Sequence, residues 1–227
     1  MKNDFRNGFI ANIPIGFSVA AYGSVCGMMS SQAGVEFYEM LLMNIFIFAG
    51  SSQMLMVEMW SDSLDVLGII LAAIMINLRY FLIGASLSSL FKKSTSKQKM
   101  AYMHLCADEN WAVTIARAKK EEITPLFLFG GGVCLLLIWS ASTSMGYVLG
   151  EFITDPSKYA LDFAFVAIFT ALTFNMYHGK NNLLPWLIAA FVAIISEYFI
   201  AGKFYIVLGA LTGSFSAIYL HKDTLNE

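Results

Sequence analysis

Residues 40–60 read MLLMNIFIFAGSSQMLMVEMW, and the way this stretch crosses or fails to cross a bilayer decides the architecture. It is largely apolar but carries a knot of small and polar residues, Ala49-Gly50-Ser51-Ser52-Gln53, in its middle. A spanning helix needs about 20 mostly apolar residues, so the length alone would allow one crossing. The knot argues against it. The two apolar arms, Met40–Phe48 and Met54–Trp60, would each rise roughly 10–14 Å, about half of a hydrocarbon core. Gly and Ser tolerate non-helical backbone. Irregular backbone at that depth survives only when it is buried in protein or lines water. The stretch therefore predicts a segment that dips in and returns, with residues 49–53 non-helical between two half-helices. The alternative is a full helix carrying a patch of small packing residues.

The rest of the chain fits a membrane setting. Of its 227 residues 58% are hydrophobic and only 13% charged, about half the charged share of a soluble domain. A soluble fold of this length needs more polar surface than that. A net charge of -2 offers no basic face for nucleic acid. Apolar runs at 9–31, 66–91, 126–149, 183–200 and 203–220 read as spanning helices, and 161–177 is a shorter candidate. The fold class is all-α: a polytopic helical membrane protein with six or seven spanning segments, at least one of them broken or re-entrant.

Charge sets the expected orientation. Lys92, Lys93, Lys97 and Lys99 cluster, Arg117, Lys119 and Lys120 follow, and Lys2 and Arg6 mark the opposite end. The positive-inside rule places all three groups in the cytoplasm. That requires an even number of crossings between residues 6 and 92, which a re-entrant 39–60 supplies. Residues 100–118 are too polar to face lipid. His104, Asp108, Glu109, Asn110, Thr114 and Arg117 do not share one helical side, so this is no surface-lying amphipathic helix either. Its polar groups are expected to face protein or a wet cavity.

The chain reads as a single transmembrane domain, 1–227. Similar glycine and apolar patterns near 23–50 and 146–169 outline repeat halves at 1–91 and 126–200, joined by a polar cytoplasm-side segment, 92–125. Such duplication is common in transporters. Gly23-xxx-Gly27, Gly146-xxx-Gly150 and Gly209-xxx-Gly213 let helix backbones approach closely, and together they point to internal packing more than to a dimer face. Cys26, Cys106 and Cys134 are odd in number and lie in or beside apolar segments; they read as packing residues. Pro14, Gly16 and Gly23 interrupt the first apolar run, which reads as a retained spanning segment.

Chemistry concentrates in a few residues. Arg79 lies in AAIMINLRYFLIG, 72–84, roughly 20 Å along a helix axis from Lys92, too far to snorkel. A central arginine costs at least about 2.5–3.5 kcal/mol to insert, so it needs a carboxylate, backbone carbonyls or an anionic ligand. A permanent internal salt bridge would satisfy it equally. Asn77 is two residues away, on the opposite side of an intact helix, so either the two serve different partners or the helix is disturbed. Gly50, Ser51, Ser52 and Gln53 mark a helix break whose unpaired N–H groups suit a carboxylate. Gly50, Ser51, Ser52, Gln53, Asn77 and Arg79 are thus the candidate substrate-binding residues. Asp108, Glu109, Asp162 and Glu197 lie in or beside apolar stretches. Buried carboxylates can take up a proton in the working pH range, so these four are the coupling candidates. No metal-ligand spacing and no cofactor motif is present, and no Walker motif for ATP.

Pro14-Ile15-Gly16, Phe48-Ala49-Gly50-Ser51-Ser52-Gln53, Asn77-Leu78-Arg79, Asp108-Glu109 and Asp162-Phe163 together resemble the AzlC type, the large subunit of LIV-E branched-chain amino-acid exporters. The resemblance covers nearly the whole chain, with Trp111 a departure where a smaller aromatic is expected. It implies a multi-pass protein of the bacterial cytoplasmic (inner) membrane. It implies export of branched-chain or similar small hydrophobic amino acids by secondary transport, with a small hydrophobic AzlD-type membrane partner. Two other classes compete. One is a channel-like or assembly subunit without coupled transport. The other is an intramembrane hydrolase using Ser51 or Ser52, which would need a His or Lys base within reach; His104, His178 and His221 all lie near segment ends.

Overall fold

Where water is absent, each backbone N–H and C=O must find its partner inside its own segment, so apolar runs become helices. The computed structural model describes residues 3–60, 65–153, 183–200 and 204–220, with positions 158, 166, 167, 170, 173, 174, 177 and 179. Its helices are α1 (Asp4–Gln32), α2 (Phe37–Phe46), α3 (Gly50–Glu58), α4 (Val66–Asn77), α5 (Arg79–Ser86), α6 (Ser96–His104), α7 (Asp108–Ala118), α8 (Pro125–Glu151), α9 (Leu183–Phe199) and α10 (Phe204–Leu220). No strand occurs among the described residues. The protein is a helical membrane protein. Among the described residues three stretches are long and apolar enough to cross: Asp4–Gln32, Val66–Ser86 and Pro125–Glu151. The expected span 161–177 lies largely outside the described residues, as does the part of the second repeat half between 154 and 182.

The chain forms two compact units, one of residues 1–61 and 77–162, the other of 62–76 and 163–227. In the first, α1 and α8 are the main packed pair, and α2, α3, α6 and α7 pack against one or both of them. The contact between α1 and α8 is made by glycine on both sides. Gly8 faces the Phe127 carbonyl and Gly130 the Phe5 carbonyl; further along, Gly27 faces the Thr143 carbonyl and Gly146 the Ser24 carbonyl. These helices touch backbone to backbone, which only residues without a Cβ allow. Gly23 and Gly150 extend the same seam, against Ser142 and Trp139 and against Ser31 and Met28. In the second unit α9 and α10 pack together, with Gly209 and Gly213 against Ala189 and Ala193. The glycine pairs are internal packing, as the sequence indicated.

At the head of α8, Asp4 of α1 ties the seam closed. The Thr124 backbone N–H and hydroxyl both donate to Asp4 Oδ2, at 2.9 and 2.7 Å. Thr124 is the residue that caps α8 in position but not with its own side chain. Asp4→Ala is expected to lower the thermal stability of the detergent-solubilised protein by about 1.5–3 kcal/mol, the range for hydrogen bonds to a charged acceptor. An unchanged melting temperature would show that water replaces the carboxylate without loss.

The break in 40–60 exists, but not where the sequence places it. Residues 50–53 are helical: they form the first turn of α3. The interruption is Ile47–Ala49, where the Ile47 and Phe48 N–H groups both donate to the Met43 carbonyl, at 2.9 and 3.2 Å. Phe48 takes a φ of +44°, a left-handed conformation that a bulky residue holds only when its surroundings impose it. Its side chain is buried, which supplies the constraint. Gly50 is not small for conformational freedom. A Cβ there would stand 2.9 Å from the Tyr22 ring and 3.1 Å from the Trp139 ring, so the glycine admits two aromatic side chains against the start of α3.

Two further boundaries differ. The apolar run 66–91 is helical only to Ser86, and residues 87–93 form turns. Leu87 and Phe91 leave the helix to join a buried cluster with Ile83, Cys106 and Leu128. The polar stretch 100–118 is itself broken, between α6 and α7, at Leu105–Ala107. Part of its polar set turns inward as expected, while His104 and Arg117 are exposed. Asn110 and Thr114 are fully buried, and the Asn110 amide donates to the Leu105 and Leu128 carbonyls at 2.8 and 3.2 Å.

Candidate functional site

The site begins at the first turn of α3. Four N–H groups at any helix start lack an intrahelical acceptor. Here no described side chain caps them. Ala49 occupies the capping position, and the first turn carries no acidic residue. The α7 start is different: Asp108 and Glu109 sit in its first turn, and the Ala107 N–H donates to Asn110 Oδ1 at 2.7 Å. One positive helix end therefore keeps its own carboxylates, and the other stays open to an anion.

Arg79, the first residue of α5, reaches both. Its Nη1 pairs with Asp108 Oδ2 at 2.7 Å, and its Nη2 donates to Ser51 Oγ at 2.9 Å. The guanidinium also lies 5.5 Å from the centre of the Tyr80 ring. Its Nε–H is buried and has no hydrogen-bond partner among the described residues. The ion pair is not sealed, because the two side chains are 31% and 43% exposed. Asn77 serves a neighbouring partner: Ser52 Oγ donates to Asn77 Oδ1 at 3.1 Å. Both residues thus address the first turn of α3. Of the two alternatives that their spacing left, the structure shows different partners, Ser52 for Asn77 and Ser51 with Asp108 for Arg79, while Leu78 between them keeps a right-handed helical backbone.

Gln53 belongs to the frame of this site. It is fully buried, and both ends of its amide are engaged. Its nitrogen donates to Asn44 Oδ1 at 2.8 Å, and its oxygen accepts from Trp139 Nε1 at 3.0 Å. Trp139 Nε1 also reaches Asn44 Oδ1 at 3.0 Å, and the Asn44 amide donates to Thr143 Oγ1 at 2.8 Å. This buried network pins α3 to α2 and α8 on either side of the break. His104, at the end of α6, donates from Nε2 to the Ile45 carbonyl at 2.7 Å, which engages a backbone acceptor in the last turn of α2.

The first unit thus brings together Gly50, Ser51, Ser52, Gln53, Asn77, Arg79 and Asp108, with Glu109 beside Asp108 on α7. Glu197 is exposed on α9 in the second unit. Asp162 lies outside the described residues. Reasoning from sequence missed Tyr22, Asn44, Trp139 and Thr143. The Tyr22 hydroxyl is buried with no hydrogen-bond partner among the described residues and lies within charge range of Arg79, Asp108 and Glu109. A signal for two of the four was present. Trp139 stands mid-helix instead of in an interfacial belt, and Asn44 is a lone amide in an apolar run; each must find a polar partner inside the protein.

Known proteins agree with this membrane architecture. An uncharacterized membrane protein of Helicobacter pylori strain J99 is 24% identical over 224 residues, 97% of this chain and 96% of its own length. An uncharacterized membrane protein of Archaeoglobus fulgidus is 28% identical over 183 residues, 78% of each. No solved structure matches the chain. The family described as AzlC protein matches residues 14–153, a stretch that runs from α1 to the end of α8 and holds Tyr22, the α3 turn, Arg79 and Asp108. The chain is a member of the AzlC family.

Proposed function

We propose that this protein is the large subunit of an exporter for branched-chain or similar small hydrophobic amino acids. It works by secondary transport in the bacterial cytoplasmic membrane, with a small hydrophobic AzlD-type partner. One observation carries this reading. An uncapped helix start, a half-open Arg79–Asp108 pair and two orphaned donors, Arg79 Nε and the Tyr22 hydroxyl, lie in one unit. That set has the polarity of a zwitterion. The substrate carboxylate would take the α3 N–H groups and Arg79, and its ammonium would take Asp108. Ser51, Ser52 and Asn77 orient the donors, and Gln53 holds the turn in place.

The membrane setting and family membership support transport over catalysis. Ser51 and Ser52 are hydrogen-bonded to Arg79 and Asn77, not to a histidine or lysine that could activate a nucleophile. The test is flux of radiolabelled leucine, valine and methionine in membrane vesicles, with and without the small partner. Movement against an imposed substrate gradient supports the transporter. Movement only down the gradient means a channel, and labelling by a serine-reactive probe means an enzyme.

Tyr22 gives a sharper check. Tyr22→Phe removes one hydroxyl and leaves the ring against Gly50. If that hydroxyl donates to the bound carboxylate, half-saturation for leucine should rise about 3–10-fold, the equivalent of one hydrogen bond. An unchanged half-saturation takes Tyr22 out of the site.

A further inference from the structure

The charges around Arg79 do not balance. Arg79 supplies one positive charge, while Asp108 and Glu109 supply two negative ones. Asp108 holds the ion pair with Arg79. Among the described residues Glu109 has no ion pair.

The other titratable groups within charge range of Glu109 are Tyr22 on α1, Tyr80 on α5 and Cys106 just before α7. Cys26 lies beside Tyr22. None of these brings a second cation. Helices α1 and α8 pack against α7. The charged residues of α1, Asp4 and Arg6, sit in its first turn, and α8 carries no charged residue before Glu151. A bound zwitterion adds no net charge, so substrate alone cannot cancel the surplus carboxylate. A proton can. Moving a net charge through low dielectric is expensive, whereas a neutral centre moves cheaply.

We propose that Glu109 is the proton carrier of this transporter, protonated from water on one side of the membrane and deprotonated to water on the other in each cycle. This rests on the transport function proposed above and gives it a coupling group. The chemistry is a single proton transfer. One O–H bond forms on the Glu109 carboxylate and later breaks, and no bond to the substrate is made. Asp108 stays with Arg79 or with the substrate ammonium, so the two adjacent carboxylates have separate tasks.

The experiment uses vesicles containing the full chain and its small partner. It compares leucine–leucine exchange without a pH gradient against leucine accumulation driven by an imposed pH gradient. Glu109→Gln keeps the shape and hydrogen-bonding reach but cannot ionise. The expected result is exchange within about threefold of the unaltered protein, with gradient-driven accumulation lost. Glu109→Asp, which still ionises, should restore part of the accumulation. If Glu109→Gln still accumulates leucine in response to the pH gradient, the proposal fails. It also fails if Glu109→Gln loses exchange and accumulation together, since the residue then serves binding or folding. Unaltered protein that exchanges leucine but ignores the pH gradient would overturn the proton role and leave the transport function standing. Unaltered protein that does neither overturns the function itself.

Discussion

Arg79→Ala should cut transport about a hundredfold while leaving the protein in the membrane. Arg79 is the only described group that touches both the open start of α3, through Ser51, and the acidic start of α7, through Asp108. Removing one partner of a hydrogen-bonded charge pair typically costs about 2–5 kcal/mol in binding, or roughly thirtyfold to several thousandfold. Partial exposure of this pair places the expected loss toward the lower end, at about a hundredfold in flux per inserted molecule. Arg79→Lys keeps the charge but not the planar fork that reaches Ser51 and Asp108 together. A smaller loss is expected, about tenfold. Flux normalised to membrane-inserted protein is the measurement. If Arg79 is only a structural clamp, both variants will reduce the amount of folded protein and preserve flux per molecule. Normal normalised flux in Arg79→Ala would remove it from the substrate site.

The second large effect belongs to the seam between α1 and α8. Gly146→Leu should prevent the first unit from assembling, because the new side chain would occupy the place of the Ser24 carbonyl. Overpacking a core usually costs about 1–3 kcal/mol. Here the obstacle is backbone on a long helix, so relief requires separating α1 from α8. That movement would also open the reciprocal contact of Gly27 with the Thr143 carbonyl. Gly84→Ala is the control, since its Cβ would meet only the end of Met103 at 3.8 Å. Size-exclusion profiles in mild detergent should show the Gly84 variant as a single species and little or none of the Gly146 variant. A normal profile and melting temperature for Gly146→Leu would mean that the two helices stand further apart than described.

Much of the architecture was legible because hydrocarbon permits few solutions. Apolar runs of sufficient length become helices, and the observed limits of α1, α8, α9 and α10 lie within a few residues of those read from hydropathy. The need of Arg79 for a partner was legible for the same reason, since an isolated charge in that run has no low-energy state. The interruption in 40–60 was legible as a fact but misplaced. Gly50, Ser51 and Ser52 looked like residues chosen for backbone freedom. They are helical, and they are small because Tyr22, Trp139 and Arg79 approach them. Composition cannot separate these two uses of a small residue; only the neighbours can.

The sequence by itself determined that the chain is a helical membrane protein and that Arg79 must be answered by polar groups, and it favoured a break near residue 50 over an unbroken helix. Each follows from one segment and the solvent it must enter. The tertiary structure decided which groups answer. Asp108 and not Glu109 holds the guanidinium. Asn44, Trp139 and Thr143 lock Gln53 out of the site and into its frame, and Tyr22 brings an unpaired hydroxyl from α1. Those assignments depend on how α1, α3, α5, α7 and α8 pack within one unit. The partners lie from 9 to 99 positions apart in the chain, and no local periodicity encodes a contact at that range.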